Sequence, residues 1–123
     1  MTKKEKETRE KALKIVTFAL KKKAQSPCVL KVKEISNFCD YFIVCSGEST
    51  PHVRAIYEEV VASSKKNAIA IHHTEKDEFS TWILIDFYDV VLHVFLDEVR
   101  KFFDLEHLWS EAKKIRLTKK KLE

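Results

Sequence analysis

With 123 residues, 45% of them hydrophobic, the chain has the size of one domain able to bury its own core. Its net charge of +4 hides a segregation: residues 1–33 carry 11 basic and 3 acidic side chains, residues 75–106 carry 3 and 9, and residues 107–123 carry 6 and 2. The three cysteines form no C-x-x-C pair, no apolar run approaches the ~18 residues of a membrane span, and the Lys-rich start is not of signal type, so a cytoplasmic protein in a reducing setting, without membrane contact, is expected.

In chain order, Ala12, Ile15, Val16, Ala19 and Leu20 recur at helical spacing and predict an amphipathic helix over 3–24. Its turns before Ala12 lack an apolar face and are expected to fray. Pro27 closes this segment. Residues 28–33 alternate apolar side chains with Lys and predict a half-buried strand, residues 34–40 a connection, and the continuous apolar run at 42–45 a central strand covered on both faces. Gly47, the only glycine, follows in Ser46-Gly47-Glu48-Ser49-Thr50-Pro51 and is expected to hold a backbone geometry that other residues adopt only with strain. Ser49 or Thr50 can cap the next helix, with Pro51 in its first turn and an apolar stripe of Val53, Ile56, Tyr57, Val60 and Val61. Residues 68–71 predict a short third strand and residues 72–80 a polar loop. Two further strands, at 81–87 and 90–95, precede a helix carrying Arg100, Phe102, Phe103, Leu105, Glu106, Leu108 and Trp109, whose Trp109 packs the helix onto the sheet. The sum is one α/β domain over 1–123, a mixed sheet of about five strands against helices, with frayed basic ends near 1–10 and 114–123.

Candidate chemistry concentrates in the last two strands. Alternation places Trp82, Leu84 and Asp86 on one face, and Asp89, Val91, His93 and Phe95 on the matching face of the partner strand. With Phe87 and Tyr88 as the turn, Trp82 would lie opposite His93 and Asp86 opposite Asp89. Three resolutions of the facing carboxylates are open: a divalent metal, a Lys or Arg from a partner, or a turn that splays them into water. His93 alone on a strand reads as a hydrogen-bonded structural histidine, with no Ser or Cys beside it by spacing. His72 and His73, being adjacent in an extended segment, should point to opposite faces and be unable to clasp zinc jointly. Ser46, Gly47 and Ser49, between a strand and a helix, could hold an anion, although a capping turn is the better reading. No metal or cofactor site is expected.

Asp40-Tyr41-Phe42-Ile43-Val44-Cys45-Ser46-Gly47, then Thr50 to Ile56, then Trp82-Ile83-Leu84-Ile85-Asp86 with Asp89-Val90-Val91-Leu92-His93-Val94-Phe95, then Arg100 to Trp109, together resemble the ribosomal silencing factor family, also called Iojap-like. The resemblance covers roughly residues 10–112. It implies a nucleotidyltransferase-like fold without that fold's acidic metal motif, because the turn here leads into Pro51, His52 and Arg54. It also implies binding to protein fourteen of the large ribosomal subunit and steric blocking of subunit joining under nutrient limitation, without catalysis or cofactor. Its carried-over contact set is Trp82, Asp86, Asp89 and Glu75, to which His93 is added as the neighbour of Trp82. The acidic block at 75–106 suits a basic ribosomal protein. The family usually has glycine before the Trp and in the hairpin turn, whereas this chain has Tyr88 at the turn, a residue that disfavours positive φ.

Two other classes compete: a degenerate nucleotidyltransferase using Asp86, Asp89 and a metal, and a general RNA-binding domain using the Lys-rich ends. Contact of those ends with ribosomal RNA, and a homodimer through the hairpin face, are further expectations.

Overall fold

Apolar stripes on two helices and alternation in the strands draw the chain into one sheet with helices on it. The computed structural model describes residues 1–37 and 39–122; Phe38, in the expected connection, and Glu123, in the expected tail, lie outside the described residues. The elements are α1 (Lys3–Leu20), β1 (Gln25–Lys31), β2 (Tyr41–Gly47), α2 (Thr50–Lys66), β3 (His73–Lys76), β4 (Trp82–Asp86), β5 (Val90–Leu96), α3 (Asp97–Phe103), α4 (Leu105–Leu108) and β6 (Lys113–Ile115). The sheet order is β3-β4-β5-β2-β1-β6, with β2 parallel to β5 and the other pairs antiparallel. The mixed α/β fold is therefore as expected, with six strands among the described residues where about five were predicted.

One face of the sheet packs against α1 and α2. Val29, Tyr41, Ile43, Cys45, Ile83, Ile85, Phe87, Val90, Leu92 and Val94 meet Ala12, Ile15, Val16, Ala19, Val53, Ile56 and Val60 there, all buried. Each large side chain so buried contributes about 2 kcal/mol, which makes this layer the main source of stability. A second cluster of Leu30, Val32, Cys39 and Ala112, with Phe42, Val91 and Trp109 against it, lies on the opposite face. Trp109 meets the Phe42 ring edge-on at 5.2 Å, so the sheet contact expected of it is present. The three cysteines are free thiols. Burial pushes the Cys45 thiol up to about 12, and burial together with nearby carboxylates does the same to Cys39.

Several sequence expectations are corrected. α1 already begins at Lys3, because the Thr2 side chain caps it by accepting the Glu5 N–H at 3.1 Å and Thr8 is buried on its inner face. Residues 68–71 are not a strand: Ala68 has φ 56°, and Ile69 and Ile71 pack on the core from a non-repetitive segment. The third strand is instead β3, inside the expected polar loop, where an edge position exposed on both sides needs no apolar residue. β6 pairs with β1 from within the expected frayed tail, and its Ile115 is buried. The closing helix breaks in two at Asp104, which takes a left-handed φ of 47° and caps α4 through its side chain. Gly47 has no positive φ; a Cβ there would lie 3.1 Å from the Val53 backbone nitrogen and 3.2 Å from His52 Cγ, so the glycine serves a close approach of β2 to α2.

Candidate functional site

Ser46, Gly47 and Ser49 are engaged within the protein. The Ser46 hydroxyl receives a hydrogen bond from the buried Arg100 guanidinium at 3.2 Å, and Arg100 also donates to the Gln25 carbonyl and to Glu106. Ser49 caps α2 by accepting the His52 N–H at 3.2 Å, as the capping reading expects. This turn joins β2 to α2, and the Arg100 hydrogen bonds hold α3 against β2 and β1.

The open part of the sheet lies on the face away from α1 and α2. Its register differs from expectation. Phe87 N–H donates to the Val90 carbonyl at 2.8 Å, so Tyr88 and Asp89 form the turn and every cross-strand pair moves by two residues. Trp82 lies opposite Phe95, Leu84 opposite His93, and Asp86 opposite Val91. Tyr88 takes φ 76° in that turn, so the positive φ that its bulk disfavours is adopted nonetheless. A side-chain oxygen of Asp86 holds the turn by accepting the Tyr88 N–H at 2.7 Å.

The new register separates the two acids expected to face each other. Asp86 stays on the open face beside Trp82 and Leu84. Asp89 turns toward α1, where it pairs with Lys11 and accepts the Thr8 hydroxyl at 3.0 Å. Its cation thus comes from the first helix, 78 residues back in the chain, which no local pattern reveals. Glu75 stands on β3 opposite Leu84, and is exposed with Asp86 close by on the same face.

Trp82 and His93 do meet, along the diagonal. Trp82 Nε1–H donates to His93 Nδ1 at 3.1 Å, and the Trp82 ring stacks on Phe95 and packs on Phe103, both with centroids 4.9 Å away. Burial lowers the His93 pKa to about 4, so the ring is neutral, with its proton on Nε2 when Nδ1 accepts from Trp82. Trp82 itself is only partly covered. Phe102 and Phe103 extend the aromatic surface, 83% and 47% exposed. The result is an apolar, aromatic patch with carboxylates at its edge, held on rigid strands.

Asp77 was missed by sequence reasoning. Its Oδ1 accepts the N–H groups of Thr81 at 2.7 Å and Trp82 at 2.9 Å, while the Thr81 hydroxyl donates to its other oxygen. Burial raises its pKa, but these hydrogen bonds outweigh that effect and hold it below the usual carboxylate value. Asp77 thereby fixes the entry into β4 and the seat of Trp82. An Asp four residues before a strand-opening Thr is the kind of loop-organising signal that could have found it.

The adjacent histidines also depart from expectation. Only His73 belongs to β3; His72 lies before it, and the two rings make an edge contact at 5.1 Å instead of pointing apart. Each offers a ring nitrogen that, with one Asp86 oxygen, makes a group of donors all within 4.8 Å of one another.

Comparisons with known proteins agree with this fold. A family model described as "Ribosomal silencing factor during starvation" matches residues 5–123. The ribosomal silencing factor RsfS of Halalkalibacterium halodurans is 38% identical over 96 residues, covering 78% of this chain and 82% of that protein. That of Bacillus subtilis is 36% identical over 91 residues, covering 74% and 77%. A crystal structure from Bacillus halodurans superposes with a TM-score of 0.78 at 35% identity, over 89% of this chain and 99% of the other. With the model matching almost the whole chain and relatives this similar on a shared fold, the chain belongs to the ribosomal silencing factor family.

Proposed function

We propose that this protein binds the large ribosomal subunit through the open face around Trp82, at the subunit's protein fourteen, and blocks joining of the small subunit by occupying that surface. The mechanism is steric: no bond is made or broken, and no cofactor is needed. Such a role places it in the cytoplasm with the ribosomes it silences. The observation that carries the reading is the partly covered Trp82, seated by Asp77 and His93 on an aromatic patch and flanked by Asp86 and Glu75. An indole on a rigid strand loses little conformational entropy on docking, and the carboxylates beside it attract a basic partner. Asp89, already paired with Lys11, supports the turn and is withdrawn from the contact set.

The experiment is co-sedimentation with separated ribosomal subunits, with subunit joining followed in the same gradients. Binding to the large subunit alone, with joining suppressed, is expected for the wild type. Trp82→Ala should lose about 2 kcal/mol or more, roughly thirtyfold in affinity. Because that variant also leaves Phe95 and Phe103 less covered, Asp86→Lys is run beside it, with melting curves for both. Equal binding to both subunits, or two folded variants that bind like the wild type, would reject the site. A homodimer through the same face would appear as competition between self-association and subunit binding.

A further inference from the structure

Two imidazoles and a carboxylate converge at the hairpin end of the open face. His73, the first residue of β3, pairs with Asp86 across the ladder, so both side chains stand on the same side of the sheet. His73 Nδ1 lies 3.4 Å from Asp86 Oδ2. The His72 N–H donates to the Asp86 carbonyl at 2.8 Å, which anchors that residue just outside the strand, where strict alternation no longer applies. Its ring packs between the edge of His73 and the ring of Tyr88, at centroid distances of 5.1 and 4.8 Å.

We infer that His72, His73 and Asp86 form a site for a divalent cation of the zinc class, with the remaining coordination position open to water. Tetrahedral bonds of about 2.0–2.1 Å place neighbouring donors about 3.4 Å apart. The His73–Asp86 pair already stands at that separation, and the spread of the three donors, 4.8 Å at most, closes by rotation of the exposed His72 ring. The surroundings leave the right atoms available. Asp86 Oδ1 is held by the Tyr88 N–H, which orients the carboxylate and leaves Oδ2 for the ion. His73 Nε2, on the far side of its ring, faces Glu75 Oε1 at 3.8 Å, an ion-pair distance at which the carboxylate favours the positive charge that a bound cation brings to the ring. Two nitrogen donors select zinc, or a neighbouring transition metal, over magnesium, which prefers oxygen. A bound ion would pin the exposed edge strand β3 to the β4–β5 turn.

The test is a titration of the purified full chain with zinc chloride in a non-thiol reductant, in competition with a chromophoric chelator. Wild type is compared with His72→Ala, His73→Ala and Asp86→Asn, each checked for its circular dichroism and melting curve. One equivalent bound with a micromolar Kd is expected, at least about tenfold weaker in each variant. Zinc should also slow amide hydrogen exchange in β3 in the wild type and not in His73→Ala, and millimolar magnesium should not displace it. Both histidines are exposed, so loss of zinc without loss of fold is readable. No uptake at about 100 µM zinc overturns the inference. So does uptake unchanged in all three variants, which would put the ion elsewhere, on the partly buried Cys28 thiol or on His107. These outcomes are read on the isolated protein and are independent of ribosome binding.

Discussion

His93 shows how one side chain ties the patch to pH. Its ring is buried, accepts the Trp82 indole N–H on Nδ1, and has an Nε2 with no hydrogen-bond partner among the described residues. Burial depresses its pKa from 6.5 to about 4. A base with a lowered folded pKa takes up its proton more readily in the unfolded chain. Its share of stability is therefore complete above about pH 6.5 and is lost as the pH falls through that value toward 4. At pH 5 the loss amounts to about 2 kcal/mol. Urea unfolding of wild type and His93→Gln at pH 7 and pH 5 measures it. Gln keeps an acceptor for Trp82 but does not titrate, so the variant should lose about 2 kcal/mol less between the two pH values than the wild type does. Equal losses would show that His93 titrates normally in the folded protein.

At the scale of elements, the hairpin turn is where helix and sheet are fastened. Asp89 pairs with Lys11 and accepts from Thr8, Lys11 Nζ donates to the Phe87 carbonyl at 3.0 Å, and the Asp89 carbonyl accepts the N–H groups of Asp40 and Tyr41. Asp89→Ala keeps the backbone bonds and removes the side-chain ones. The ion pair is partly exposed, so solvent screening holds the expected cost to about 1–2 kcal/mol, read as a lowered urea midpoint at unchanged slope. Large-subunit binding should stay within about twofold, because the site lies on the α1 side of the sheet and is independent of Trp82. The same turn explains what the sequence could and could not reveal. The strands were legible because Ile83 and Ile85 alternate with less buried residues in β4, while β5 is an almost continuous run of buried, largely apolar side chains. The register was not, because Phe87-Tyr88-Asp89 holds no Gly or Asn to mark the turn, and moving it by one residue moves each pairing by two. β3 was hidden for another reason: His73-Thr74-Glu75-Lys76 is exposed on both faces, so burial imposes no period on it. Ala68 to Ile71 reads as a strand by composition, yet Ala68 in a left-handed conformation after α2 breaks the extension and leaves Ile69 and Ile71 only to fill the core. Trp82 and Asp86 could be found as a pair on one strand face, whereas Lys11 and Thr8, which remove Asp89 from that face, are brought in by tertiary packing alone.

Across the whole molecule, the proposed binding would divide its labour between the acidic block and the basic ends. On that proposal the acids beside Trp82 would face a basic protein surface, and the lysines after β6 would face ribosomal RNA. Those lysines are presented from an anchored segment. Ile115 is buried against β1, Leu117 and Leu122 pack back on the core, the Leu122 N–H donates to the Thr118 carbonyl, and Lys119, Lys120 and Lys121 are exposed on the turn between them. If they neutralise ribosomal RNA phosphates, each releases a counterion, and the affinity for the large subunit carries a salt dependence that grows with their number. Replacing all three by Gln should then lower the slope of log affinity against log salt by about 2–3. Trp82→Ala should act the other way, cutting affinity at every salt concentration while leaving that slope unchanged, because an aromatic anchor displaces no ions. Sedimentation of both variants with the large subunit between about 50 and 200 mM salt separates the two contributions. An unchanged slope in the triple Gln variant would assign the whole interaction to the protein-facing patch. A slope lowered in Trp82→Ala would mean that the indole sits against RNA.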